Sequence, residues 1–190
     1  MIRQFEATRR DLVRRGIAGG GLALAAVSIP SLLGARNAFA AANDDASILQ
    51  GAIGLEQTAV FTYSAAARSG KLDSASRRIA LHFAGQEQQH ADALIAALSA
   101  LGGSPPAKPR NARDVKGLAQ AAGRAAGIMR FAIALEESAL AAYHDAQRKL
   151  KDGKLLQTGV SIMANEGQHL VVLRTLAGRN PVPNAFETGQ

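Results

Sequence analysis

Cysteine and tryptophan are both absent from this sequence, and aromatic residues make up only 4% of it. The lack of cysteine excludes disulfides, Cys-ligated zinc or iron–sulfur sites and thiol nucleophiles. Strands draw on β-branched and aromatic residues, so scarce aromatics in an alanine-rich chain favour closely packed helices over a sheet. The hydrophobic fraction of 47% and the charged fraction of 19% are typical of a globular chain. The 190 residues therefore predict one domain, with room for a tail.

The net charge of +7 is unevenly divided along the chain. Residues 1–40 hold six Arg against two acids, whereas residues 41–190 hold sixteen Lys and Arg against thirteen Asp and Glu. More than half of the positive excess therefore lies in the first segment, and the rest of the chain is only mildly basic. Since no basic stripe with interleaved aromatics is present, we expect no nucleic-acid partner.

Residues 1–40 have the pattern of an export signal rather than of a folded domain. Paired arginines within residues 8–16 (TRRDLVRRG) precede a Gly-rich, weakly apolar run over 16–34, and Ala38-Phe39-Ala40 is a small-x-small cleavage pattern. This arrangement resembles a twin-arginine signal, so we expect the twin-arginine translocase as a partner during export and a periplasmic or other extracytoplasmic location. An uncleaved membrane anchor is the alternative, although Pro30 and several Gly make the run a poor membrane helix.

Residues 41–180 are predicted to form four helices, and residues 181–190 a C-terminal tail. Helical patterns run over residues 43–68, about 74–101, about 114–151 and 153–177. The first and third connections are short turns, whereas residues 102–113, with three Pro, form a long irregular stretch. This order of connections predicts an all-α four-helix bundle made of two antiparallel hairpins joined by a long crossover.

The two predicted hairpins repeat each other in sequence. Leu55–Tyr63 (LEQTAVFTY) matches Leu135–Tyr143 (LEESALAAY) at an offset of 80 residues. Glu87–His90 (EQQH) matches Glu166–His169 (EGQH) at an offset of 79. Two matches in register indicate duplication of a helical hairpin.

Charged side chains stand at positions where a bundle helix is expected to be apolar. The inward stripe of the second helix runs through Ile79, Phe83, Glu87, His90, Leu94, Ala97 and Leu101. The corresponding stripes of the other helices carry Glu56, Glu136, Glu166 and His169. Four ionised Glu would be costly to bury unpaired, and no Lys or Arg shares their stripes. Two divalent cations would balance the four negative charges, and a Glu and a His three residues apart on a helix can reach the same metal pair.

Glu56, Glu87-x-x-His90, Glu136 and Glu166-x-x-His169 on four successive helices resemble the ligand set of the ferritin-like di-iron carboxylate superfamily. The resemblance covers about residues 43–178 and implies a ferritin-like bundle with two iron ions, or manganese, as cofactors. It further implies that Glu87 and Glu166 bridge the metals, that Glu56 and Glu136 are terminal carboxylates, and that His90 and His169 each supply one nitrogen.

Several residues near this ligand set have other interpretations. Tyr63 and Tyr143 lie two turns beyond the terminal Glu and are candidates for hydrogen-bond donors to the ligands, with ordinary core tyrosines as the alternative. His82 and His144 lie off the inward stripes and are expected at the surface or its boundary. Glu137 is rotated by about 100° from its neighbour Glu136 and is expected to be solvated.

The sequence leaves more than one function open, and it assigns no catalytic residue. The first is a redox enzyme of the cell envelope that acts on Fe(II), O2 or H2O2 as a ferroxidase, peroxidase or catalase-like protein. The second is a metal-binding or structural bundle without catalysis. DNA protection of the mini-ferritin type conflicts with export and with the weak charge. Small bundles of this kind often pair, so a homodimer is one assembly that the sequence allows, but the sequence does not determine the oligomeric state.

Overall fold

The computed structural model describes residues 44–189, so the predicted export signal lies outside the described residues. The helices of the described residues are α1 (Asp45–Arg68), α2 (Ser74–Ala100), α3 (Leu118–Ala121), α4 (Ala125–Ala146) and α5 (Gly153–Leu176). No strand occurs within residues 44–189, and the predicted all-α class is confirmed. Among these helices, none combines the length and the apolar character needed to cross a membrane.

Aspartates fix where three of the long helices begin. The side chain of Asp44 accepts a hydrogen bond from the Ser47 amide at the start of α1, and Asp73 does the same from Ser76 at the start of α2. Asp152 accepts from two amides in the first turn of α5. The Asp45 carboxylate accepts from the backbone amides of Lys151 and Asp152 at 3.0 Å, which ties the start of α1 to the connection between α4 and α5.

The four long helices form the predicted pair of hairpins. Helix α1 packs along α2, and α4 packs along α5. The two hairpins then meet through contacts of α1 with α4 and of α2 with α5. Each long helix therefore turns one face to the centre of the bundle, where the six predicted ligands lie.

The third predicted helix begins later than the sequence pattern suggested. The long helix α4 starts at Ala125 and ends at Ala146, and residues 114–124 contain only the single turn α3. Gly117 has a φ of 86°, which interrupts a right-handed helix. A Cβ at Gly127 would collide with the carbonyl of Ala121, so the crossover folds back tightly onto α4 at a position that only glycine fits.

The inward stripe of α2 is also shorter than predicted. Phe83, Glu87 and Leu94 are buried, but Leu101 is 53% exposed because the helix has already ended at Ala100. Leu98 takes the buried position in the last turn. The core thus ends one turn earlier than the spacing alone implied.

The tail is held against the hairpin of α4 and α5. Arg174, a buried residue of α5, donates hydrogen bonds to Glu187 in the tail and to Glu137 on α4. A Cβ at Gly189 would collide with the backbone of Glu137 and Ala141, so the tail lies directly on α4. Arg174 therefore joins three segments of the chain at one point.

Candidate metal centre

The bundle brings all six predicted ligands together at its centre. Glu56 comes from α1, Glu136 from α4, and each Glu-x-x-His pair from α2 or α5. The four glutamates are each 1% exposed, so the helices enclose them almost completely. Their neighbours along each helix are Ile, Leu, Phe and Ala of the core, which fix the helix faces on which the carboxylates lie.

The ligand atoms form two groups that share two carboxylates. We call Glu56, Glu87, His90 and Glu166 the His90 group, and Glu87, Glu136, Glu166 and His169 the His169 group. Within each group one ligand atom per residue lies within 4.8 Å of the others, a separation that a metal ion could fill. Glu87 and Glu166 belong to both groups, which is the arrangement that two bridging carboxylates require.

Each imidazole turns its Nδ1 atom toward three carboxylates. His90 Nδ1 lies 3.3 Å from an oxygen of Glu56, of Glu87 and of Glu166. His169 Nδ1 lies 3.0 Å from Glu87 and 3.3 Å from Glu136 and Glu166. The Nε2 atom of His169 lies 3.0 Å from the side-chain oxygen of Gln86, which is placed to accept a hydrogen bond and so to fix the ring with Nδ1 facing inward.

Several of these buried polar atoms have no hydrogen-bond partner of good geometry within residues 44–189. They include one oxygen of Glu87, both oxygens of Glu166 and Nδ1 of His169. Buried polar groups are almost always hydrogen-bonded, because leaving one unpaired is costly. Carboxylate oxygens and imidazole nitrogens that converge in a buried space without well-formed hydrogen bonds are the arrangement that a cation satisfies once the imidazoles have lost their protons. The donor set therefore fits a metal centre.

Two tyrosines close the centre across the hairpins. The hydroxyl of Tyr63 on α1 donates to Glu136 on α4, and the hydroxyl of Tyr143 on α4 donates to Glu56 on α1. Burial and the nearby carboxylates raise the pKa of both tyrosines well above its usual value, so both stay protonated as donors. The structure thus favours the donor interpretation over that of ordinary core tyrosines.

These contacts predict that each tyrosine supports one ion. Tyr63→Phe should lower the affinity for the ion in the His169 group by about tenfold. Tyr143→Phe should lower the affinity for the ion in the His90 group to a similar degree. Phenylalanine keeps the ring, including the edge contact of Tyr63 with Phe83 at 5.5 Å. A Mn(II) titration of both variants would measure the effect, and unchanged affinities would make these residues core packing only.

The protonation of the metal-free cluster follows from burial and from the crowding of charges. Burial raises the pKa of Glu56 well above its usual value and raises that of Glu136 to about 8. Burial alone would lower the pKa of the imidazoles, but their carboxylate neighbours raise the pKa of both His90 and His169 to about 12. Burial and the Glu87 carboxylate would raise the pKa of Glu166, yet the closeness of Glu136 and of the two imidazoles holds this pKa below its usual value.

At pH 7 the two imidazoles and Glu136 hold protons that metal ligands must lose. Binding of two divalent cations should therefore release at least about three protons per chain at pH 7, and about one fewer at pH 9, where Glu136 is already ionised. Apparent metal affinity should accordingly rise with pH. Isothermal calorimetry in buffers of different ionisation enthalpy counts the protons, and a count near zero would mean that binding occurs elsewhere.

The weaker candidates lie outside this cluster. His82 is exposed on α2, and the side chain of His144 is 42% exposed. Glu137, whose side chain is 35% exposed, pairs with Arg174 away from the cluster. Sequence reasoning did not single out Gln86, although it precedes Glu87 in the chain as Asn165 precedes Glu166. It also used Phe83 only as a core residue, whereas the ring of Phe83 stacks on His169 with centroids 3.9 Å apart.

Fold and site together define a helical bundle with a buried carboxylate and histidine cluster that could bind metal ions. A family model described as a ferritin-like domain matches residues 44–179, and the chain belongs to that family. A crystal structure of a conserved hypothetical protein from Mycobacterium tuberculosis is similar in fold, with a TM-score of 0.61 and 17% identity. The match covers 82% of this chain and 99% of the other. No curated protein matches the sequence.

Proposed function

We propose that this protein is a ferritin-like di-metal carboxylate protein that binds two iron or manganese ions and performs redox chemistry on Fe(II), O2 or H2O2. The observation that carries the proposal is the sharing of Glu87 and Glu166 between two complete ligand groups. Two divalent cations would balance four carboxylates. A set of four carboxylates and two imidazoles suits iron or manganese better than structural zinc, which favours closed tetrahedral sites.

Each residue of the centre has a distinct task in this proposal. Glu87 and Glu166 would hold both ions at a fixed separation, and Glu56 and Glu136 would each hold one. The Tyr143 and Tyr63 hydroxyls keep a proton at one oxygen of Glu56 and of Glu136, which orients these carboxylates. Bound iron or manganese would supply the electron transfer that oxidation of Fe(II) or decomposition of peroxide requires.

The proposal places this chemistry outside the cytoplasm. The arginine pairs and the small-x-small motif of residues 1–40 support export by the twin-arginine route, with membrane anchoring if the signal is retained. That route carries folded proteins, which suits a centre whose ligands come from four helices. In the periplasm the protein would protect the envelope from iron and peroxide.

Replacing both arginine pairs within residues 8–16 by Lys keeps the charge and should abolish export, as a periplasmic fractionation would show.

The experiment that tests the centre is metal analysis combined with turnover. The mature protein, exported from a twin-arginine-competent host, should contain about two iron or manganese ions per chain. It should also oxidise Fe(II) or consume H2O2. His169→Ala should lose about one of the two ions together with turnover, whereas His82→Ala, at an exposed position on α2, should retain both ions and turnover and serves as the matched control.

Two other outcomes would contradict parts of the proposal. Two bound ions without turnover of Fe(II), O2 or H2O2 would leave a metal-binding bundle and remove the enzymatic part. Little metal in wild type, with a fold that survives chelation, would show that the cluster is not a metal centre.

A further inference from the structure

The two ligand groups are related by the internal repeat, yet their surroundings differ. The side chain of His90 is 14% exposed, whereas that of His169 is 2% exposed. Beside His90 an open groove of about 370 Å³ lies between α2 and α5. We call it the His90 groove; it is bordered by Ala93, Gln157, Thr158, Ser161 and Ile162. One half of the centre is thus close to solvent and the other is covered.

The cover over His169 is aromatic and aliphatic. The ring of Phe83 stacks on the imidazole at 3.9 Å with an interplanar angle of 25°. Tyr63 meets the same imidazole edge-on at 6.5 Å. Ile79 and Val172 pack against the same core cluster as Phe83. Water and ions therefore meet an apolar layer on this side, and the pocket lined by Tyr63, Ile79 and Phe83 holds only about 30 Å³.

The repeat explains why the second half is open. At the offset of 79 residues, three positions of the first half correspond to three of the second. These correspondences are Ile79 with Thr158, Phe83 with Ile162, and Ala93 with Val172. At each of the three positions the residue at the His90 groove is smaller than its counterpart in or against the core cluster that contains Phe83. Smaller side chains on the His90 side therefore account for an open groove there.

We propose that divalent cations enter and leave the centre through the His90 groove, so that the ion in the His90 group exchanges with solvent while the ion in the His169 group is retained. The inference rests on the proposed binding of two ions and goes beyond it. The groove has room for about a dozen waters, enough for a hydrated cation. Its amides and hydroxyls can replace waters of hydration, and the four carboxylates behind it attract positive charge.

The test is a chelator challenge of the protein loaded with two Mn(II) per chain. Residual bound manganese is measured by atomic emission after mixing with excess EDTA and rapid desalting. We expect two phases of equal amplitude whose rates differ by about tenfold or more. Loss of both ions in one phase would overturn the inference while leaving the proposed metal centre intact. A protein that holds no manganese would overturn both.

Variants assign each phase to one side. Ala93→Val combined with Thr158→Ile places the covering residues in the groove and should slow only the fast phase, by about tenfold. Ala96→Val, an exposed position one turn along α2, is the matched control and should change neither phase. Phe83→Ile should accelerate only the slow phase. If Phe83→Ile does not fold, the variant carrying both Ala93→Val and Thr158→Ile still tests the inference. An unchanged fast phase in that variant would exclude the His90 groove as the route of cation exchange.

Discussion

Glu87→Ala should leave the purified protein with almost no bound metal, whereas Glu136→Ala should keep about one ion per chain. Glu87 contributes an oxygen to both ligand groups, but Glu136 contributes only to the His169 group. Removing Glu87 thus takes an anionic ligand from two sites at once. Loss of a ligand weakens a site by more than the roughly 10- to 100-fold that outer hydrogen-bond partners contribute.

A matched control for this comparison is Glu137→Gln. Glu137 is adjacent to Glu136 in the chain but pairs with Arg174 outside the cluster, and Gln keeps an acceptor for that contact. This variant should retain about two ions. Metal content by atomic emission, normalised to protein, reports all three values. Equal retention in Glu87→Ala and Glu136→Ala would show that Glu87 does not bridge two metals.

Metal loading should raise the midpoint of thermal unfolding by about 10 °C or more. The buried carboxylates repel one another and are desolvated in the metal-free protein, and a cation removes both penalties only in the folded state. A ligand at a thousandfold excess over its dissociation constant adds about 4 kcal/mol to the free energy of unfolding. Each 1 kcal/mol corresponds to roughly 2–4 °C for a domain of this size.

Circular dichroism melts with and without Mn(II) measure this shift. Glu87→Ala should melt at the same temperature in both conditions, because it has lost the shared ligand. Ala96→Val should show the full shift, since this exposed position lies away from the ligands. A metal-dependent shift that persists in Glu87→Ala would place the stabilising ion outside the cluster.

The clustering of the six Glu and His residues could be predicted from the sequence because they violate its strongest pattern. Burying Glu and His at inward positions of otherwise apolar stripes is costly unless an opposite charge compensates them. The internal repeat shows the same Glu and Glu-x-x-His positions in both halves of the chain, so each half supports the assignment made for the other. The helix class and the hairpin order followed from periodicity and connection lengths. Both are confirmed by the structure.

Other features could not be predicted because they depend on tertiary contacts. The late start of α4 reflects the close approach of Ala121 to Gly127, and periodicity carries no information on such a contact. The stripe of α2 continued to Leu101 in sequence, but the helix end left that residue in solvent. The contrast between Phe83 and Ile162 was readable in the repeat, yet its meaning required knowing that Phe83 stacks on His169.

The division of ligands between the hairpins has a consequence for how the chain folds. The first hairpin supplies Glu56, Glu87 and His90 to the His90 group and also supplies Glu87 to the His169 group. The second hairpin supplies Glu136, Glu166 and His169 to the His169 group and also supplies Glu166 to the His90 group. Neither hairpin alone therefore offers a complete coordination sphere. Contacts between residues so distant in sequence form late, after the entropy of closing the crossover has been overcome. In the proposed centre, tight capture of metal and completion of the native topology would consequently be one event, and a nascent chain that has formed only its first hairpin would not hold the ions.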